Sequence, residues 1–245
     1  MALHHLDADG RYSCLYQATV EHFRNSFGLD GHERLRLQQE PLDGVAVRRI
    51  AKEYKFIQWI PRDKGQHADV NADGVAQIVN QALPNWPQGL DARSAFCAAR
   101  ANQALGAKYT VNPLMSGMTK LLWFVRPDGW TIYDRFAATG LGLGNADAIT
   151  KATHFYDNLN RRGFDEFAAE INGTLTQHGF DTLFGERIID KLLMLAGGAG
   201  QGVQPFIEGI EMFPEFVPEA FRESVQSVCQ EVAETFADHA FFAAP

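Results

Sequence analysis

Apolar residues recur at helical spacing along most of the chain, and strict alternation is rare. The stretch YSCLYQATVEHFRNSF (12–27) reads as a helix ending at Gly28. GVAVRRIAKEYKFIQWI (44–60) puts Val45, Ile50 and Ala51 on one side and Arg48, Arg49, Lys52 and Lys55 elsewhere, until Pro61 stops it. NADGVAQIVNQAL (71–83) opens on an Asn or Asp cap and stops before Pro84. DARSAFCAARANQALG (91–106) has Asp91 as a cap and a terminal glycine. Two further amphipathic helices are expected over 164–180 and 180–198, and a long closing helix over 218–242 with Pro218 near its start. Only QWIPR (58–62) and YTVNP (109–113) read as short extended pieces. No internal repeat appears, and no linker is long enough to force a boundary. The pattern predicts an all-α fold with at most short extended pieces, arranged as one globular helical domain over 1–245.

The bulk properties narrow the classes. The 245 residues, 46% apolar and 21% charged, have an ordinary globular composition. No apolar run approaches the roughly 18 residues of a membrane span. The start, MALHHLDADGRY, lacks a basic stretch followed by an apolar one, so no signal peptide is expected. Three scattered cysteines, Cys14, Cys97 and Cys229, fit free thiols in a reducing cytoplasm. With no CxxC, HExxH or His/Cys cluster, neither a metal nor a cofactor is expected. The net charge of −8 is uneven. Residues 44–135 hold 12 Lys and Arg against 7 Asp and Glu, while 136–245 hold 6 against 16. Such asymmetry marks either a polyanion-binding face or a chance fluctuation on a solvated surface.

Three glycine-containing stretches look functional and are not. DVNADGVAQIVN (69–80) starts like a calcium loop, but Asn80 stands where the bidentate Glu belongs, so a capped helix start is the better reading. GLGLGN (140–145) lacks the GxGxxG spacing and follows a helical pattern. GGAGQG (197–202) lacks GK[ST]. Both glycine runs read as helix terminators or hinges.

Chemistry enters at Ser116–Asp134, SGMTKLLWFVRPDGWTIYD. TKLLWFVR can make two helical turns headed by Lys120, and Pro127 ends them. Asp128-Gly129 supplies a turn, and Trp130, Ile132 and Tyr133 lead to Asp134. RFAATGL then resumes a helical pattern to about Gly140, so Asp134 sits at its N-cap. The stretch resembles the signature of helix-hairpin-helix DNA glycosylases, particularly the 8-oxoguanine glycosylase branch. In that family a hairpin of type GVGTK ends in a lysine, an apolar helix and a proline-containing turn follow, and an aspartate caps the next helix. SGMTK stands where GVGTK would be, with Ser116 and Met118 in place of hairpin glycines. The interval of 14 residues from Lys120 to Asp134 is shorter than in the large eukaryotic-type enzymes, and the cysteines of the iron–sulfur branch are absent. The resemblance covers residues 110–141 and extends to stand-alone bacterial proteins of this fold, some associated with phage defence.

The resemblance implies that Lys120 and Asp134 are catalytic. A fixed carboxylate stabilises the cationic sugar that develops as an N-glycosidic bond breaks. A lysine in a dry pocket can attack the sugar carbon and form a Schiff base, adding AP-lyase activity. The excised base must leave the duplex and stack on aromatic side chains. Trp123, Phe124, Trp130, Phe241 and Phe242 are the candidates, the last two because the family's closing helix lines the pocket. Arg48, Arg49, Lys52, Lys55, Lys108 and Arg126 are candidates for the DNA backbone. The expected partner is double-stranded DNA with a damaged or modified base, bound by a monomer, and the family fold allows two helical lobes with the cleft between them. Two other readings stay open: a catalytically inactive DNA-binding module of the same fold, and a helical interaction protein with no nucleic-acid role.

Overall fold

The computed structural model describes residues 2–62, 69–105, 114–144, 148–198 and 217–243. Among them the fold is all-α, with no strand. The helices run α1 (Ala8–Ser26), α2 (Leu29–Leu37), α3 (Gly44–Glu53), α4 (Ala72–Ala82), α5 (Leu90–Leu105), α6 (Leu114–Val125), α7 (Arg135–Gly140), α8 (Ala148–Arg161), α9 (Phe164–Gln177), α10 (Gly185–Ala196) and α11 (Glu219–Phe236). The extended character expected of QWIPR reduces to one antiparallel bridge between Arg62 and Val70, and YTVNP lies outside the described residues. No described helix is long and apolar enough to cross a membrane. The chain divides into two compact units: residues 1–28, 134–144 and 158–245, and residues 29–133 and 145–157.

The first unit is built around α1. Its buried residues Leu15, Ala18, Thr19, His22 and Phe23 follow the helical repeat and face α10 and α11. Asp7 caps α1 by accepting the Gly10 N–H at 2.8 Å, and His22 Nε2 accepts the Phe184 N–H at 3.0 Å. On α11, Val225, Val228, Cys229, Val232, Ala233 and Phe236 form the inward stripe. The closing helix ends at Phe236, short of the expected 242. His239 turns extended, and its Nδ1 accepts the Phe241 N–H at 3.1 Å. That break lets Phe241 and Phe242 both reach the core. A Cβ on Gly140 of α7 would run into the Leu193 carbonyl of α10, so this glycine serves a close helix crossing.

The second unit packs α3 on α4, α5 on α4 and α6, and α2 on α6. Neither α2 nor α8 was legible as a helix in the sequence. Asp43 caps α3 through the Ala46 N–H at 2.7 Å, and that bond, helped by Arg36, holds the Asp43 carboxyl below the usual carboxylate range. Asn71 caps α4 through the Gly74 N–H at 2.8 Å. Asn80 pairs with both backbone groups of Leu42, at 3.2 and 2.7 Å, which ties the start of α3 to α4. The helix expected over 44–60 breaks at Tyr54 instead. Phe56 N–H bonds to the Ala51 carbonyl and Lys55 N–H to the Lys52 carbonyl, and Lys55 adopts φ 55°. This is a Schellman ending, with lysine in the left-handed position that glycine usually takes. α5 starts at Leu90, so Asp91 lies inside its first turn and not at the position before it.

Candidate active site

Ser116–Lys120 is helical throughout, as part of α6. SGMTK is therefore not a hairpin turn, and Lys120 lies within the helix and not at its head. Residues 110–113, the start of the hairpin-like motif, lie outside the described residues. Gly117, within that stretch, has a packing role. An ideal Cβ there would stand 2.6 Å from the Phe56 ring, so the glycine admits a packed aromatic ring and does not mark a turn. Leu114, Met115 and Met118 carry the buried face of α6 back before Lys120.

Lys120 is 8% exposed. Its Nζ donates to Ser116 Oγ, one turn earlier, at 2.8 Å. It also stands 5.9 Å from the centroid of the Tyr54 ring, within cation–π range. The Tyr54 hydroxyl donates to Asp30 Oδ1 on α2 at 2.6 Å, and the Phe124 ring meets Tyr54 edge-on at 5.8 Å. Sequence reasoning missed Ser116, Tyr54 and Asp30 as partners. The spacing of Ser116 and Lys120 would have given the first once the helix was recognised.

Beyond α6 the chain reverses at Pro127–Gly129. Gly129 takes φ 61°, which the turn requires, and Arg93 clamps the turn by donating to the Asp128 and Gly129 carbonyls. The Thr119 hydroxyl then accepts the Tyr133 N–H at 3.2 Å, Trp130 Nε1 donates to the Thr119 carbonyl at 3.1 Å, and the Tyr156 hydroxyl donates to the Thr131 carbonyl at 2.9 Å. The segment Trp130–Tyr133 is thereby fixed against α6 and α8.

Asp134 opens α7 with extended φ −145° and ψ 175°. Its Oδ1 accepts the Ala137 N–H at 2.9 Å, so it is the N-cap that the sequence pattern implies. The residue is half-buried. Among the described residues this is the one side-chain hydrogen bond it makes. The division between the two units falls between Tyr133 and Asp134, so Lys120 belongs to one and Asp134 to the other.

The five aromatic candidates all lie in the protein core. Trp123 lies under the Arg34 guanidinium, 5.5 Å from its ring centroid. Phe124 packs on Tyr54. Trp130 stacks on Tyr156 at 4.5 Å and meets Trp86 edge-on at 5.6 Å. Phe241 stacks on Phe167 at 4.7 Å, and Phe242 meets the same ring edge-on at 6.3 Å.

The cationic candidates fall into two groups. Arg48 faces Asp69 and Asp73 at 3.5 and 3.7 Å. Arg49 pairs with the fully buried Glu33, which Arg36 also contacts at 3.2 Å. Lys52, Lys55 and Arg126 are exposed, and Lys108 lies outside the described residues. The two arginines are matched by carboxylates from distant parts of the sequence, so they present less net positive charge than their spacing on α3 implied. Removing Arg49 leaves a buried carboxylate half-satisfied. We expect Arg49→Ala to cost about 1–3 kcal/mol in chemical denaturation, and Arg48→Ala under about 1 kcal/mol as a surface pair.

No protein-family model, no curated protein and no solved structure matches the chain.

Proposed function

We propose that the chain is a DNA N-glycosylase that extrudes a damaged or modified base, such as a hypermodified base of phage DNA, and cleaves its glycosidic bond to leave an abasic site. The observation that carries this reading is the pair of ionisable side chains in Ser116–Asp134. One is a buried lysine whose amine is bonded to Ser116 and faces an aromatic ring. The other is Asp134, a half-buried aspartate that caps α7. They stand in the order and residue types of the helix-hairpin-helix glycosylases.

The chemistry follows from those two groups. As the bond from sugar to base breaks, its electrons leave with the base, which takes up a proton, and positive charge builds on the sugar. The Asp134 carboxylate stabilises that charge. The Lys120 amine, having lost a proton, attacks the sugar carbon and opens the ring as a Schiff base, or water takes its place and Lys120 holds the sugar. Incubation with modified duplex DNA followed by alkali tests the reading. Strand scission at the modified base supports it. A salt-dependent gel shift without scission supports the inactive binding module, and neither response supports the interaction protein.

DNA contact should run through the exposed cations. Each phosphate neutralised contributes about −0.9 to the slope of log affinity against log salt. Lys52→Ala with Lys55→Ala should flatten that slope by roughly one to two units. Arg48→Ala, whose partner is already a carboxylate, should change it by less than about one. Equal slopes in all three proteins would remove α3 from the DNA face.

A further inference from the structure

We propose that Ser116, Tyr54 and Asp30 position the Lys120 amine for reaction: Ser116 by accepting one of its N–H bonds, Tyr54 by presenting its ring face, and Asp30 by fixing the Tyr54 hydroxyl. This rests on the reading of Lys120 as the reacting amine and adds three positioning residues to it.

A lysine head group is a compact charge with three donors on a flexible four-carbon stem, so left alone it samples many positions. Here the stem is buried and the head is held from two sides. Ser116 lies one turn back on the same helix, and its Oγ accepts at 2.8 Å. A serine so placed fixes the direction of one N–H without adding a charge. The Tyr54 ring, 5.9 Å from Nζ, attracts the ammonium through its face and accepts no proton from it. It therefore localises the amine without a hydrogen bond of its own.

Tyr54 sits just past the end of α3 and would be free to turn if nothing held it. Two contacts do so. Its hydroxyl donates at 2.6 Å to Asp30, which is 5% exposed. Phe124, from α6 itself, meets the ring edge-on at 5.8 Å. The Schellman ending of α3 sets where Tyr54 points, and the Phe56 that completes it packs against Gly117, one residue after Ser116. The helix end that carries the ring and the helix that carries the amine are thus registered by a second contact.

The test uses the full chain labelled with ¹³C-lysine. The Lys120 Hε resonances, assigned by their loss in Lys120→Gln, should be shifted upfield by the Tyr54 ring and be inequivalent, because the stem is held. Tyr54→Phe keeps the ring but loses its bond to Asp30 and should weaken that signature, while Tyr54→Leu and Ser116→Ala should return the resonances towards those of the other lysines. Ser116→Thr restores a hydroxyl and should restore the signature. In single-turnover base release, Ser116→Ala and Tyr54→Leu should be slower by on the order of 10- to 100-fold with unchanged DNA affinity, the usual effect of misplacing a reacting group. Ser116→Thr should stay within a few-fold of wild type, and Tyr54→Phe, which frees the ring from Asp30, should fall between wild type and Tyr54→Leu. Unchanged resonances in Ser116→Ala and Tyr54→Leu overturn the proposal. So does a collapsed signature with base release at the wild-type rate, since the cluster would then be structural only. Wild-type protein that releases no base yet keeps the signature overturns the glycosylase reading and leaves the held amine standing.

Discussion

Borohydride added during reaction with a modified duplex is expected to trap the wild-type protein on DNA, and Lys120→Gln is expected to leave no trapped species. This is the largest effect the site predicts, because a Schiff base forms only through an amine. The substitution is a mild one for the fold. Glutamine keeps most of the lysine stem, and its amide can still bond Ser116 Oγ, so stability should change by no more than about 1 kcal/mol. It also removes a charge from a position that is 8% exposed, which costs nothing in desolvation. Adduct formation reads the nucleophile, and base release reads the bond cleavage. If wild type releases base and no adduct forms, water is the nucleophile and Lys120 holds the sugar. If Lys120→Gln releases base at the wild-type rate, Lys120 has no part in the chemistry.

Asp134→Asn separates the structural use of that carboxylate from the chemical one. The cap requires only an oxygen to accept the Ala137 N–H, and asparagine supplies one. Capping by either residue contributes about 1 kcal/mol, so the variant should melt within a few degrees of wild type. What asparagine lacks is the charge. Loss of a preorganised electrostatic contact to a developing cation costs about 10²–10³ in rate, roughly 3–4 kcal/mol. Single-turnover base release should therefore fall at least ~100-fold, while DNA binding is equal or tighter for want of a repelling carboxylate. Full activity in a well-folded Asp134→Asn protein would reduce the residue to a helix cap.

Local signals explain what was legible. Helical periodicity and its end signals placed most helices, and Asn71 and Asp134 cap where the pattern put them because capping depends on the next three residues alone. The misses are tertiary. Lys55 ends α3 in a conformation that glycine normally marks, so no residue type announced the break. The place of Gly117 against the Phe56 ring depends on another element, so nothing local marks it. The likeness of SGMTK to GVGTK points to a hairpin where Ser116–Lys120 is helix. Arg48 and Arg49 looked like free cations because Asp69, Asp73 and Glu33 are distant in sequence. The aromatic residues near the motif were candidates by type, and type does not distinguish a pocket wall from core. Lys120 and Asp134 were visible as residues, while the groups that hold Lys120, Tyr54 and Asp30, had no sequence signal at all.

The most direct measurement is mass-spectrometric detection of free base released from duplex DNA carrying oxidised, alkylated or phage-type hypermodified bases. Wild-type protein is expected to release one such base and leave an abasic site, with release at least ~100-fold slower from Asp134→Asn and no borohydride-trapped species from Lys120→Gln. Release of no base by the wild-type protein from any of these duplexes, or release by Asp134→Asn at the wild-type rate, would contradict the account.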